Sequence, residues 1–192
     1  MPHAPHMSGA DFEALYRSDP DPWGYTSRRY EREKYRATLA ACGPGPFRRA
    51  LELGGSIGVF SALLAPRCDS LTTIDGSPTA VAAARRRLAS HPNANAIVGR
   101  IPAAIPSRSY DLVLASEILY YLTPAALSGT LTALRDLIAG GGRLVAVHWR
   151  VDGPERPFTA DQVHERLRDE SWLELEDSAG TDEYRLDVLV RR

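Results

Sequence analysis

The sequence predicts an α/β fold: a Rossmann-like three-layer sandwich with a mostly parallel sheet and helices on both of its faces. Three observations lead to this class. Between residues 46 and 192, short apolar runs alternate with segments of helical periodicity, which is the pattern of β-α-β units. A glycine-rich turn joins the first apolar run to the helical segment after it. Two alternating apolar–polar runs near the C-terminus predict an antiparallel pair that closes the sheet.

Composition narrows the possible functions. The chain has 192 residues and a formal net charge of -1, which suits one α/β domain and gives no sign of a nucleic-acid partner. No apolar run is long enough to span a bilayer and no signal-peptide pattern is present, so we expect a soluble, cytoplasmic protein without a membrane partner. Cys42 and Cys68 lack metal-ligand spacing, which favours reduced structural thiols and no metal site.

The chain ahead of the sheet divides into two predicted parts. Residues 1–9 are predicted to be a disordered or vector-derived leader. Residues 10–45 are predicted to form an N-terminal helical lid over the α/β domain of residues 46–192, because a Gly/Pro-rich break separates the two. Plain packing of this segment on the domain surface explains the same pattern, so both roles stay open.

Within the predicted lid, a proline-pinned turn carries Trp23 and leads into a helix that Ser27 is expected to cap and that continues through Ala41. Tyr30 and Lys34 lie one turn apart on that helix and therefore share a face. We expect Trp23, Tyr30 and Lys34 to contact a ligand if the segment is a lid. Burial of aromatic side chains for packing alone is the competing explanation.

The first strand, over residues 49–53, runs into the glycine-rich turn. Gly54 can adopt positive φ, and Gly58 lets the next helix start close to the strand and to a ligand. The second strand, over residues 71–74, ends in Asp75, where a carboxylate binds ribose in folds of this kind. The G-x-G-x-x-G spacing of dinucleotide sites is absent from the turn. The pattern predicts a different adenosine-bearing ligand, with an ordinary ligand-free turn as the alternative.

The remaining elements follow from periodicity and capping residues. Ser77 and Pro78 open a helix to Leu88, and Pro102 and Pro106 indicate that the connection after the third strand is a loop. The other predictions are a third strand at 96–98, a fourth at 110–115, a helix at 123–138, a fifth strand at 143–147, a loop at 151–157, a helix at 159–168, and strands at 172–176 and 184–190.

The glycine-rich turn resembles a known family motif. Its residues Glu52-x-Gly54-x-Ser56-x-Gly58 resemble the E-x-G-x-G-x-G motif of class I S-adenosylmethionine-dependent methyltransferases, with Ser56 where that family usually has its middle glycine. The resemblance implies a seven-stranded sheet of order 3-2-1-4-5-7-6 whose last strand is antiparallel. It also implies S-adenosylmethionine as cofactor and S-adenosylhomocysteine as product.

A closer resemblance is to the NodS-like group of bacterial methyltransferases, whose nodulation member N-methylates the free amine of a chito-oligosaccharide. Four runs carry it: DPDPWGY at 19–25, YEREK at 30–34, LELG at 51–54 and SEILYYL at 116–122. The run His148-Trp149-Arg150 looks different from the nodulation member, which leaves the oligosaccharide substrate open.

The methyltransferase resemblance implies a cofactor site. The expected cofactor-binding residues are Glu52, Gly54, Ser56, Gly58, Asp75, Gly76, Arg100, Ile101 and Ser116, together with Trp23, Tyr30 and Lys34 of the lid. Arg100 stands where the family often has an acid that accepts a hydrogen bond from the adenine amino group, and arginine cannot accept one. Adenine recognition is therefore expected from backbone carbonyls and from packing of Ile101 on the ring.

The carboxyl ends of the fourth and fifth strands are expected to face the acceptor. Glu117 is the first candidate for binding or deprotonating a cationic amine and His148 the second, with Tyr121 beside them. A helix-capping role for Glu117 and a core role for His148 are the competing explanations. The expected function is methylation of a small-molecule amine, such as an amino sugar or related metabolite. An O-methyltransferase with His148 as base and a non-catalytic S-adenosylmethionine-binding protein are the alternatives; the acceptor and the oligomeric state stay open.

Overall fold

A computed structural model describes residues 7–151, 153 and 156–192. The α-helices are α1 (Gly9–Ser18), α2 (Arg29–Cys42), α3 (Val59–Leu64), α4 (Pro78–Arg87), α5 (Pro124–Leu137) and α6 (Ala160–Arg168). The strands are β1 (Ala50–Leu53), β2 (Leu71–Asp75), β3 (Ala94–Val98), β4 (Tyr110–Ser116), β5 (Ile138–Trp149), β6 (Leu173–Gly180) and β7 (Tyr184–Arg191). Across the described ranges, no helix is long and apolar enough to cross a membrane.

The strands form one seven-stranded sheet of order β3-β2-β1-β4-β5-β7-β6. Strands β1 to β5 pair in parallel, whereas β7 runs antiparallel to both β5 and β6. The predicted Rossmann-like class and strand order are therefore confirmed. In this topology the order of connections reverses between β1 and β4, so the carboxyl ends of these strands frame the crevice where ligands bind in open α/β sheets.

Side chains that alternate along β1 build two separate cores. Leu51 and Leu53 pack in the core that also includes residues of α5 and α6. Ala50 packs on the opposite face, where Phe60 and Leu64 of α3 complete a second core. All five side chains are buried. This double packing confirms helices on both faces and fixes the strand ends that position the site.

The N-terminal predictions need two corrections. α1 begins at Gly9, because Ser8 and Asp11 form a reciprocal capping box at its start. A disordered leader is therefore wrong for residues 7–9, while residues 1–6 lie outside the described residues. The expected cap by Ser27 is also wrong, since α2 starts after Arg28 without a side-chain capping bond. The predicted helix itself is confirmed.

The last strands are longer than the sequence predicts. β5 begins at Ile138, which pairs with Tyr110 ahead of a shift in register. Gly141, with φ of 73°, takes the left-handed conformation that such an irregularity requires. β6 continues to Gly180, which pairs with Arg185 of β7. Pairing across these glycines extends both strands beyond the apolar runs that predict them.

Candidate active site

A cavity of about 650 Å³ opens at the carboxyl ends of β1, β2 and β4 and is partly enclosed by α1 and α2. Its volume suits a small-molecule ligand. The predicted site residues that line it are Gly54, Ser56, Asp75, Gly76, Arg100, Ile101, Ser116, Trp23, Tyr30, Lys34, Glu117 and Tyr121. Three other predicted residues, Glu52, Gly58 and His148, do not line it.

The glycine-rich turn shapes one wall through its backbone. Gly54 has φ of 72° and donates its N–H to the Ile74 carbonyl at 2.8 Å. A Cβ on Gly54 would lie 2.9 Å from Cβ of Ile118, so even alanine would be crowded there. Ser56 has φ of 51° and donates its N–H to Oδ2 of Asp75 at 2.9 Å. Left-handed backbone therefore brings the turn against the end of β2.

Asp75 is held by the backbone on both of its oxygens. Oδ1 accepts the Ser77 N–H at 2.8 Å, while Oδ2 accepts from Ser56. Burial raises the pKa of the Asp75 carboxyl, and these backbone donors oppose the rise. The carboxylate is thus fixed in the cavity wall. Its remaining lone pairs can accept from the hydroxyls of a ligand.

Glu52 and Gly58 support the turn from behind. Glu52 is 3% exposed and accepts a hydrogen bond from the Ser61 hydroxyl, and burial raises the pKa of its carboxyl. Gly58 has φ of 76°, and a Cβ there would lie 3.0 Å from Cα of Ala84 in α4. The expected ligand contact of Gly58 is therefore wrong: glycine is needed for close packing of α3 against α4. Glu52 does not line this cavity either, and it supports the turn through its hydrogen bond with Ser61.

Helix α1 closes the cavity from above. The Tyr16 hydroxyl hydrogen-bonds to the Ser56 hydroxyl, and the Phe12 ring meets the Tyr121 ring edge-on at 5.0 Å between centroids. Glu13 accepts from the Ser77 hydroxyl at 2.6 Å and from the Thr79 hydroxyl at 2.7 Å, at the start of α4. The hydrogen bond from Ser77 is the main cause that lowers the pKa of Glu13 to about 2. These contacts were not predicted from the sequence, although the i, i+4 spacing of Phe12 and Tyr16 is a usable signal.

The predicted lid residues on α2 also lie at the cavity. The Lys34 ammonium lies 5.0 Å from the centroid of the Tyr30 ring, as their one-turn spacing predicts. The Tyr30 hydroxyl is buried without a hydrogen-bond partner among the described residues. Trp23 lines the cavity and packs edge-on against Tyr16 at 5.4 Å. A buried hydroxyl without a partner is costly, which makes Tyr30 a ready donor to a ligand.

Opposite Asp75, three charged side chains form a charge cluster of Glu31, Lys34 and Glu117. The Lys34 ammonium donates to Oε1 of Glu117 at 2.7 Å and lies 3.1 Å from Oε2 of Glu31. Lys34 is only 2% exposed and Glu31 6%. Burial opposes charge on Lys34, but the two carboxylates outweigh it and raise the pKa of its ammonium; burial likewise raises the pKa of Glu31. Two carboxylates share one ammonium, which favours an additional cation or proton.

Glu117 makes further contacts that fix its carboxylate. Its residue has φ of 57°, an uncommon left-handed conformation for a side chain of this size. Oε2 accepts the Trp149 N–H at 2.9 Å and also accepts from the Tyr120 hydroxyl. Glu117 is therefore a cavity-lining carboxylate, in agreement with its predicted place, and it is pre-oriented by Lys34, Tyr120 and the end of β5.

The expectation that His148 faces the crevice is wrong. Its side chain is fully buried, with Nε2 accepting the Leu119 N–H at 3.2 Å and Nδ1 lying 3.1 Å from Nε2 of His164 in α6. Because side chains alternate along β5, position 148 falls on the face packed against α6, and Trp149 lines the cavity instead. Burial, above all, lowers the pKa of His148 well below its usual range. It cannot reach a substrate hydroxyl.

An aromatic wall stands beside Glu117 and already holds a cation. The Arg156 guanidinium carbon lies 4.5 Å from the Tyr120 ring centroid, 5.4 Å from that of Trp149 and 5.8 Å from that of Tyr121. The loop at 151–157 that carries Arg156 was predicted; residues 152, 154 and 155 lie outside the described residues. Three electron-rich rings around one charge form a surface suited to cations.

Arg100 and Ile101 lie at the other end of the cavity. A Cβ on Gly9 would lie 2.9 Å from an Arg100 terminal nitrogen, so the guanidinium packs against the start of α1. Ile101 packs partly buried against the main core and lines the cavity. Both residues line the cavity, and their assignment to adenine stays a prediction.

Comparisons with known proteins agree with this geometry. A family model described as Nodulation protein S (NodS) matches residues 12–151. Nodulation protein S of Sinorhizobium fredii (strain NBRC 101917 / NGR234) is 34% identical over 127 residues, covering 65% of this chain and 59% of the relative. Nodulation protein S of Rhizobium tropici is 33% identical over 127 residues, covering 65% and 53%. The match thus spans a little more than half the length of these relatives.

A solved structure extends the likeness to the whole fold. The N-methyltransferase NodS from Bradyrhizobium japonicum WM9, in complex with S-adenosyl-L-homocysteine, superposes with a TM-score of 0.84 at 24% identity. The alignment covers 94% of this chain and 97% of that one. At this identity the likeness establishes the fold, which is that of class I methyltransferases.

Proposed function

The chain belongs to the Nodulation protein S (NodS) family, and from this membership we propose that it is an S-adenosylmethionine-dependent N-methyltransferase of a small-molecule amine. The observation that carries the proposal is the charge cluster of Glu31, Lys34 and Glu117 inside the same cavity as Asp75. One end of the cavity offers a carboxylate for a cofactor, and the other offers the carboxylates of Glu31 and Glu117 for a cationic acceptor.

The cavity wall around Asp75 fits the cofactor. Gly54 lines this wall at a point where a Cβ would clash with Ile118, and Asp75 presents a carboxylate fixed by the Ser56 and Ser77 N–H groups. We assign Asp75 to the ribose hydroxyls and Ile101 to the adenine ring, as the resemblance implies. When bound, S-adenosylmethionine supplies a methyl group already activated by its sulfonium. The residues of the chain then have mainly to orient the acceptor.

The acceptor end fits an amine better than a hydroxyl. A free amine arrives protonated at neutral pH, and the two carboxylates of the charge cluster favour a cation. The amine must lose one proton before its lone pair can attack, and Glu117 is the carboxylate placed to take it. A hydroxyl acceptor needs a stronger base, and His148, the candidate for that role, is buried away from the cavity. The O-methyltransferase alternative therefore lacks the general base that was expected for it.

The test is methyl transfer from S-adenosylmethionine with a labelled methyl group to two oligomers, one of glucosamine and one of N-acetylglucosamine. The proposal predicts label on the free amine of the first and none on the second, with Glu117→Gln much less active. Label on a hydroxyl of the N-acetylated oligomer would contradict N-methylation. Where neither oligomer is labelled, a panel of small primary amines extends the test, and a wholly unlabelled panel would overturn the assignment of an amine acceptor. Calorimetry with S-adenosylhomocysteine tests the cofactor assignment separately.

A further inference from the structure

The turn that carries Glu117 is fastened to the end of β5 at three points. The Glu117 N–H donates to the Val147 carbonyl at 2.8 Å, and the Trp149 N–H donates to Oε2 of Glu117 at 2.9 Å. The third point is the Leu119 N–H, which donates to Nε2 of His148 at 3.2 Å. Glu117 has φ of 57°, and a residue of this type stays in that conformation only where its surroundings over-determine it.

His148 is itself held by a chain of buried groups. Since Nε2 accepts from Leu119, the proton of neutral His148 lies on Nδ1 and is donated to Nε2 of His164 at 3.1 Å. By the same reasoning, the proton of His164 lies on Nδ1 and is donated to Oδ2 of Asp187 at 2.8 Å. Arg168 donates to both oxygens of Asp187, at 2.8 and 3.0 Å. Each hydrogen bond in this series of buried groups therefore has a defined donor and a defined acceptor.

The three central groups are fully sealed from solvent: His148, His164 and Asp187 are each 0% exposed. A buried polar network of this kind is favourable only when every member is satisfied, and here every ring nitrogen has a partner. None of the three lines the cavity, so none can touch substrate or cofactor. Within the part of the chain that the structure describes, His148 reaches the site through the Leu119 N–H and through its ring, which meets the Tyr120 ring edge-on at 4.9 Å between centroids.

We propose that His148, His164 and Asp187 form a positioning relay for the methyl acceptor, which fixes the Leu119 N–H and thereby the turn that aims Glu117. This inference rests on the proposed function for its kinetic consequence. Asp187, 23 residues after His164, accepts the proton on Nδ1 of His164. This hydrogen bond fixes which nitrogen of each ring is protonated, so that Nε2 of His148 is a defined acceptor atom. Loss of the acceptor atom leaves a buried N–H without a partner and lets the turn relax.

The kinetic test compares two substitutions at one position. His148→Gln keeps an oxygen near the Nε2 position, whereas His148→Leu keeps the size and removes the acceptor. We expect His148→Leu to lower kcat about 10- to 100-fold, because small misplacements of catalytic groups have effects of this order. The Kd of S-adenosylhomocysteine should change by less than about twofold. His148→Gln should retain most of kcat, and His91→Leu, a substitution away from the relay, should match the unsubstituted chain.

Equal loss of kcat in the Gln and Leu variants, both folded, would overturn the proposal, as would an unchanged kcat in His148→Leu. A readout without any acceptor keeps it testable if the amine assignment fails or if His148→Leu does not fold. Long-range proton–nitrogen NMR of the unsubstituted chain should find His148 and His164 neutral, each with its proton on Nδ1. A proton on Nε2 of His148 would contradict the relay, whatever the acceptor proves to be.

Discussion

The two halves of the cavity differ in the groups that shape them. The cofactor half, around Gly54, Ser56 and Asp75, is shaped by the backbone: left-handed residues and N–H groups that fix one carboxylate. The acceptor half, around Lys34 and Glu117, is shaped by buried side-chain charges and aromatic rings. The first half should therefore lose its ligand when the backbone is disturbed, and the second when the charge balance is changed.

The largest effect that this comparison predicts is at Gly54. Gly54→Ala puts a Cβ at φ of 72° and 2.9 Å from Cβ of Ile118. We expect it to lower the free energy of unfolding, or to weaken S-adenosylhomocysteine binding, by about 2–4 kcal/mol. Gly140→Ala is the control, because its Cβ would meet nothing within 4 Å and Gly140 does not line the cavity. Calorimetry and thermal melts of both variants measure the effect, and equal behaviour of the two would break the claim that backbone shape governs this half.

The next effect concerns residues 10–45, which we propose act as the lid of both halves. Removal of residues 1–24 takes away Tyr16 and Trp23 but none of the strands, all of which follow Cys42. We expect the sheet to stay folded by circular dichroism while turnover falls about 100-fold, since a lid excludes water and completes the site. Full turnover by the truncated chain would mean that the segment only packs on the surface.

The smallest effect is the pH dependence of Glu13, the carboxylate that joins α1 to the start of α4. Hydrogen bonds, that from Ser77 first, lower the pKa of Glu13 from 4.5 to about 2. Its contribution to docking of α1 is therefore complete above the unfolded pKa and is lost as pH falls from about 4.5 through about 2. We expect Glu13→Gln to make docking weaker at pH 6 and less sensitive to acid. Quenching of Trp23 fluorescence, with Trp149 and Trp172 replaced by Phe, reports the docking; identical acid profiles would remove Glu13 from this role.

The cofactor half could be predicted from the sequence because its parts are close in the chain. Gly54, Ser56 and Asp75 lie within one strand–helix–strand unit, and their roles depend on local backbone conformation. Glycine and a strand-ending acid leave a signal in the sequence that spacing alone can detect. Gly58 was assigned to the correct strand–helix–strand unit, but it was expected to lie next to the ligand. Its neighbour in the structure is Ala84 of α4, which no local sequence pattern indicates.

The acceptor half could be predicted only in part because distant segments assemble it. Lys34 and Glu117 are 83 residues apart, so no sequence pattern announces their ion pair. His148 was misplaced for a different reason: the end of β5 was predicted at 147, two residues before its observed end at Trp149, but the face on which position 148 lies depends on packing against α6. Glu13 was missed because its partners, Ser77 and Thr79, lie at the start of a different helix, 64 and 66 residues further along the chain.

The most direct test of the division into two halves is calorimetric binding of S-adenosylhomocysteine to Asp75→Ala and to Glu117→Gln. Asp75→Ala should weaken binding by about 1.5–3 kcal/mol, the range for hydrogen bonds to a charged group. Glu117→Gln should bind the cofactor product within about 0.5 kcal/mol of the unsubstituted chain, since it acts on the acceptor. Unchanged binding by Asp75→Ala, or an equal loss in both variants, would contradict the account.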